Sequence, residues 1–343
     1  MGAPVSGPGE RLRLWLAQEL HLGAIVRALA VIGPLVIAYL LSGEPALVNL
    51  CLLTVSLLIP ALKLRLSPAA VIVQYLVIVT TFALLFLAAP IPPLFVVLVA
   101  VTGFMAAAVT RFGTLMRTLG NWVFIPAVYL ALDIREGALG EAALWQAGVL
   151  LGLSPVGLAL VCAIQALDGR RRTLERSEIF GPPSGDWLVP AVATAAAVFA
   201  AALLVEMFDI REGQWLIWSA ASVVVGDLSA STGKLKLRAM GALVGAPLGL
   251  LIGLVLPVSD VGYSFCVLGA MLTLIAFSRY VIGFGARCFF IALAAAFAGT
   301  GSGIATERVE NVLIGGAFGL VAVALAEITR PPRRTRPERP ASP

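Results

Sequence analysis

The chain has 343 residues, of which 60% are hydrophobic and 13% charged, with a mean hydropathy of +0.99. Soluble domains average about 25% charged residues, so these figures exclude a soluble globular protein. The net charge of +5 does not mark a nucleic-acid binder, because the basic residues fall in alternate gaps between apolar runs.

Residues 1–23 read as an N-terminal cytoplasmic or interfacial segment. Arg11, Arg13 and Trp15 suit the headgroup region. No cleavable signal peptide is visible, since the start is Gly/Pro-rich and the first apolar run is long. The start Met1-Gly2-Ala3-Pro4-Val5-Ser6 fits a myristoylation pattern, which the bacterial-looking Ala/Leu/Arg-rich composition argues against.

A helix needs about 20 apolar residues to cross the hydrocarbon core. Spans are expected at 24–42, 46–61, 69–89, 93–110, 119–133, 142–166, 187–207, 214–231, 239–256, 261–278, 281–299 and 309–328. Several are short, which leaves room for tilted or broken helices. Pro34, Pro126 and Pro155 lie inside spans and are candidate kinks. The fold class is therefore all-α: a polytopic membrane protein of about twelve transmembrane helices.

Lys and Arg concentrate on the cytoplasmic side of membrane proteins. Lys63, Arg65, Arg111, Arg117, Arg170, Arg171, Arg172, Arg176, Lys234, Lys236, Arg238 and Arg279 share one set of gaps, together with the basic tail. The other set holds only Arg135, Arg211 and Arg308. This places both termini in the cytoplasm.

Motifs recur in the same order along the chain. Leu62-Lys63-Leu64-Arg65 returns as Leu235-Lys236-Leu237-Arg238, and Arg111-Phe112 as Arg279-Tyr280. Phe124-Ile125 returns as Phe290-Ile291. Glu141, Gly148 and Gly152 match Glu307, Gly315 and Gly319 after one small gap. The expected organisation is two parallel six-helix repeats, 24–167 and 187–329, joined by a cytoplasmic connector at 168–186. A disordered basic tail follows at 330–343. Repeats of this kind place a shared pathway between the halves.

No enzyme signature is present. His21 is the one histidine, and Cys51, Cys162, Cys266 and Cys288 form no CxxC pair, so neither a metal nor another cofactor is expected. Ser231-Thr232-Gly233-Lys234 lacks the spacing of a nucleotide loop. Three features carry chemistry. Gly241, Gly245, Gly249 and Gly253 make one smooth helix face, a packing surface or gate. Arg287, Arg27 and Asp227 are charges inside spans, where each costs roughly 2.5–3.5 kcal/mol at mid-bilayer. The expectation is that Arg287 and Asp227 share a polar cavity, with Arg287 and Arg27 binding an anion and Asp227 sensing protons. Trp215 and Trp218 sit at the outer end of a span, as belt anchors or as the lining of the mouth. Glu206, Asp209, Glu212, Glu307 and Glu310 make the outer side acidic.

Trp215 opening a span, Lys236 and Arg238, the run Gly241-Ala-Leu-Val-Gly245-Ala-Pro-Leu-Gly249, and Glu307-Arg308-Val-Glu-Asn-Val-Leu-Ile-Gly315 occur in order over roughly 187–328. In this the chain resembles the FUSC superfamily: fusaric-acid-resistance proteins, aromatic acid efflux pumps and, more distantly, plant aluminium-activated malate transporters. The first half matches only through the repeat; Pro68, Ile72 and Leu76 stand where the glycine ladder would be. The resemblance implies a bacterial inner-membrane transporter of carboxylate-bearing, often aromatic compounds, and the leading expectation is a proton-coupled secondary exporter of aromatic or other lipophilic carboxylic acids. Its partners would be an anionic small molecule, the lipid bilayer, a periplasmic adaptor protein and further copies of the chain in a homo-oligomer. Larger relatives carry a sizeable cytoplasmic domain after each half; this chain looks like a compact member without it. A passive anion channel and a non-transporting scaffold are the alternatives.

Overall fold

The computed structural model describes residues 18–138, 140–167, 186–299 and 301–329. Expectations for the connector before residue 186, the basic tail and residues 11–17 lie outside these. The described residues form twelve α-helices: α1 Leu22–Ser42, α2 Ala46–Lys63, α3 Pro68–Ala88, α4 Pro92–Ala108, α5 Met116–Gly137, α6 Glu141–Leu167, α7 Leu188–Phe208, α8 Gly213–Val223, α9 Leu228–Gly253, α10 Asp260–Leu272, α11 Tyr280–Phe297 and α12 Gly301–Ile328. A 3-10 turn, Val109–Phe112, extends α4. Nine helices among the described residues are long and apolar enough to cross a membrane. The protein is a polytopic, all-helical membrane protein.

Local chemistry sets several boundaries. The αL residue Gly43 ends α1, its N–H donating to the Tyr39 carbonyl at 2.7 Å. Ser67 caps α3, accepting from the Ala70 N–H at 3.3 Å, with Pro68 as the first helical residue. Pro34, Pro126 and Pro155 do not break their helices: α1, α5 and α6 continue through them.

The breaks lie elsewhere, and they correct the expected spans. Eleven-residue α8 and thirteen-residue α10 rise roughly 16 and 20 Å at 1.5 Å per residue, against about 30 Å of hydrocarbon. After Val223 the chain turns through Gly226 at φ 144, a conformation glycine tolerates. Asp227 then restarts it, accepting from the Ala230 N–H at 2.8 Å. The basic stretch Lys234–Arg238, expected as a loop, is therefore inside α9.

Packing follows one order in both halves. Helix α3 lies on α5 and α9 on α11; α2 on α6 and α8 on α12; α4 on α5 and α10 on α11. The halves meet reciprocally, α4 on α7 and α10 on α1. The glycine face of α9 meets α11 backbone to backbone. A Cβ at Gly245 would overlap the Gly285 carbonyl oxygen, and one at Gly249 the Phe289 carbonyl oxygen. Small residues permit this approach, and in lipid such contact replaces the missing hydrophobic drive. Likewise, Gly315 and Gly319 of α12 seat α8, at the Leu216 and Ala220 carbonyls. Both helices next to a break are thus held by close-packed neighbours.

Candidate functional site: two cavities and a shared neck

Helix α8 and the turn after α10 border the centre of the molecule. Two cavities, each of about 300 Å³, lie end to end there. Four residues line both: Ile125 of α5, Trp218 of α8, Leu274 just after α10, and Arg287 of α11. They form a neck.

The cavity on the side of the basic loops is lined by Lys63, Lys234, Arg238, Arg279 and Arg287, and among the described residues no acidic side chain lines it. Lys234 and Arg238 stand one turn apart on α9 and face inward. Arg238 is 3% exposed. It donates from Nη1 to the Tyr280 hydroxyl at 2.9 Å and lies 4.4 Å from the Phe284 ring centre. Its Nε has no hydrogen-bond partner. The Lys234 ammonium lies 5.6 Å from the Tyr280 ring centre. Aromatic faces stabilise cations without neutralising them, so the field toward an incoming anion is retained.

Arg287 forms the floor of this vestibule. Its Nε donates to Thr273 Oγ1 at 3.2 Å and its Nη2 to the Thr273 carbonyl at 3.5 Å. The guanidinium carbon lies 5.7 Å from the Trp218 ring centre and 6.0 Å from that of Phe284. These partners are neutral groups that orient the charge. The turn after α10 supplies Thr273, so the short helix is what places it.

The opposite cavity is mostly apolar, with Asp133 and Glu212 as its carboxylates and Tyr129, Trp215, Trp218 and Tyr263 as its aromatic wall. Tyr129 and Trp215 meet edge to face at 5.3 Å; Trp215 and Trp218 stack at 5.4 Å. Glu212, at φ 54, occupies the left-handed region, which costs a non-glycine residue about 1–3 kcal/mol. Its carboxylate accepts from the Gln214 amide at 2.8 Å and from the Trp215 indole at 2.9 Å. Its own N–H donates to Glu136 at 3.0 Å, and its carbonyl accepts from Asn311 at 3.1 Å. Burial pushes the Glu212 carboxyl up, against the Trp215 hydrogen bond and the Arg308 charge. Behind Trp215, Arg308 is 1% exposed, with its guanidinium carbon 3.8 Å from the ring centre. Trp215 is therefore clamped between a carboxylate at its edge and a cation on its face.

The vestibule also has an N-terminal strap. Residues 18–21 run antiparallel to the turn after α10, with Leu20 bridged to Phe277. His21 N–H donates to the Ala276 carbonyl at 2.9 Å, and Ser278 N–H to the Glu19 carbonyl at 2.9 Å. The buried Glu19 carboxylate accepts from Arg279 N–H at 2.9 Å and pairs with the Arg279 guanidinium at 3.3 Å.

Arg287, Trp215 and Trp218 thus come together, but the structure does not bring Asp227 or Arg27 to them. Asp227 lines neither cavity; its carboxylate is spent on the N-terminus of α9, where Glu327 also accepts from Leu228 N–H at 2.7 Å. The shared Asp227–Arg287 cavity is therefore corrected: a short carboxylate in the break between α8 and α9 satisfies the nearest free N–H groups first. Arg27 is half-buried on α1 and lines neither cavity, donating from Nη1 to the Gly23 carbonyl at 3.0 Å. Gly241, Gly245, Gly249 and Gly253 line neither cavity and instead set the distance of α11, which carries Arg287. Sequence reasoning passed over Asp133, Tyr129, Lys63, Lys234 and Arg238 as site residues. The i, i+4 spacings of Tyr129 with Asp133 and of Lys234 with Arg238 were the available signals.

Residues 180–322 match the sequence pattern of a family described as fusaric acid resistance protein-like. No curated protein and no solved structure matches the chain.

Proposed function

With the match of residues 180–322 to the fusaric acid resistance protein-like family as premise, we propose that this chain is a membrane transporter of the efflux type. Its cargo would be an organic anion with an aromatic or other lipophilic body, taken from the cytoplasm. One observation carries the reading: the neck of Ile125, Trp218, Leu274 and Arg287 joins a cation-lined vestibule to an aromatic cavity bearing carboxylates.

The charges give the route a direction. The positive-inside rule puts the vestibule on the cytoplasmic face of the inner membrane. Lys63, Lys234 and Arg238 would concentrate anions there, and Arg287 would take the carboxylate at the neck. The Trp218 face beside Arg287 suits a ring. Beyond the neck, Asp133 and Glu212 would oppose re-entry when ionised and could carry the proton that drives export. This moves the proton-sensitive role from Asp227 to two carboxylates that line the route.

The deciding experiment is transport of p-hydroxybenzoate in proteoliposomes, with and without an imposed proton gradient. Accumulation against a concentration gradient, abolished by an uncoupler, is the expected result. Flux that only relaxes the gradient would identify a passive channel. Absence of flux for this and related aromatic acids, with the protein correctly inserted, would remove the reading.

A further inference from the structure

A third cavity, of about 640 Å³, lies between α3, α4 and α5, apart from the two just described. Its size is that of a small-molecule site. Val73 and Val77 of α3 and Met105 of α4 line it and are 60%, 45% and 56% exposed, so it opens sideways on the face that lipid covers. The corresponding pair by packing order, α9 and α11, is closed by glycines. In α3, Ile72 and Leu76 are exposed instead, and the helices leave a crevice.

The crevice is not chemically blank. Gln74 lines it and is 5% exposed. Its Nε2 donates to the Ser56 carbonyl at 3.2 Å, which fixes the amide orientation and leaves Oε1 as a buried acceptor without a partner. Thr81 and Thr102 also line the cavity, but their hydroxyl hydrogens are spent on the Val77 and Val99 carbonyls, at 2.7 and 2.8 Å. Among the described residues the wall carries no charged side chain, and the Gln74 oxygen lies just beneath it, covered by its neighbours. A carboxylate or phosphate would find nothing to bind. A plain acyl chain would fill the space but leave the Gln74 oxygen unpaired in a medium that supplies no water.

We propose that this crevice is a binding site for a neutral lipophile bearing one hydroxyl, which enters from the bilayer and donates its O–H to Gln74 Oε1 as the amide tilts toward the crevice. Phenols and protonated aromatic acids have this chemistry. Occupancy does not depend on the export reading, so the site can be tested by binding alone.

The probe pair is 1-naphthol and naphthalene, which differ only in the hydroxyl. Binding would be measured by equilibrium dialysis against the full chain in phosphatidylcholine nanodiscs, with empty nanodiscs subtracted. Saturable binding of 1-naphthol is expected, about tenfold tighter than naphthalene, a difference of about 1.4 kcal/mol. Gln74→Leu should bring 1-naphthol to the naphthalene level and leave naphthalene unchanged. Val77→Trp, a change on the lipid face, should block both by filling the crevice. The anion 1-naphthoate should not compete. Equal binding of the two probes to the unaltered chain, an unchanged 1-naphthol affinity in Gln74→Leu, or competition by the anion would overturn the proposal.

Discussion

Arg287 is held by a threonine and two aromatic rings, so its charge is positioned by neutral groups. Arg287→Gln keeps donors and much of the volume but removes the charge. Export of p-hydroxybenzoate should then fall at least tenfold, with protein yield in the membrane unchanged; wild-type rates would show that the neck does not read charge. Glu212 tests the other end. Its carboxyl is raised by burial, so near the raised value it gains a proton as pH falls and loses it as pH rises. Glu212→Gln fixes the uncharged form and should flatten the pH dependence of export on the outer side. A profile as steep as that of the unaltered chain would exclude Glu212 from coupling. Asp227 provides the contrast. Asp227→Ala removes an N-cap, at a cost of about 0.5–2 kcal/mol, and should lower thermal stability in detergent while export persists. The sequence showed Arg287 and the two tryptophans because a charge in an apolar span and a paired aromatic stand out locally. It misplaced Asp227, since a carboxylate's partner depends on where the helix restarts.

At the scale of elements, the glycine face was legible as packing because i, i+4 spacing needs no tertiary knowledge. Its partner was not, since α11 is distant in sequence. A Cβ at Gly245 would overlap the Gly285 carbonyl oxygen, and larger side chains would push α11 away and carry Arg287 with it. Gly245→Leu should lower both thermal stability and transport, whereas Leu on the exposed neighbour Val244 should change neither. Equal tolerance at both positions would show that α9 and α11 do not need close contact. The half-length helices escaped the hydropathy pattern for a physical reason. Apolar turns such as Val224-Val225 and Leu274-Ile275 read as more span, although the backbone leaves helix there. The break after α10 is tolerable at membrane depth because Thr273, Leu274 and Phe277 border a cavity; after α8, Arg117 donates to the Val224 carbonyl and Asp227 accepts from the Ala230 N–H.

For the whole molecule, alternation of basic gaps predicts sidedness without any knowledge of packing. Cysteines placed at exposed Ser278 and Arg211, with the native cysteines replaced, should react with an impermeant maleimide from opposite faces of the membrane. Labelling from one face would break the topology. The same alternation hid the vestibule, because Lys63, Lys234 and Arg238 serve the orientation pattern and line the cavity at once. The reciprocal meeting of the halves, α4 on α7 and α10 on α1, could not be read from order alone. It is a long-range choice made by complementary surfaces.

The strap sets an order in time. Glu19 and His21 are among the first described residues made, yet their partners Ala276, Ser278 and Arg279 are translated only after ten of the twelve described helices. Until then the early segment has nothing to pair with, and the vestibule is unlatched while the chain threads into the bilayer. Closure of the strap is therefore a late assembly event that joins a segment made before the twelve described helices to one made after ten of them, and an inserted but truncated chain ending before Ala276 would lack it.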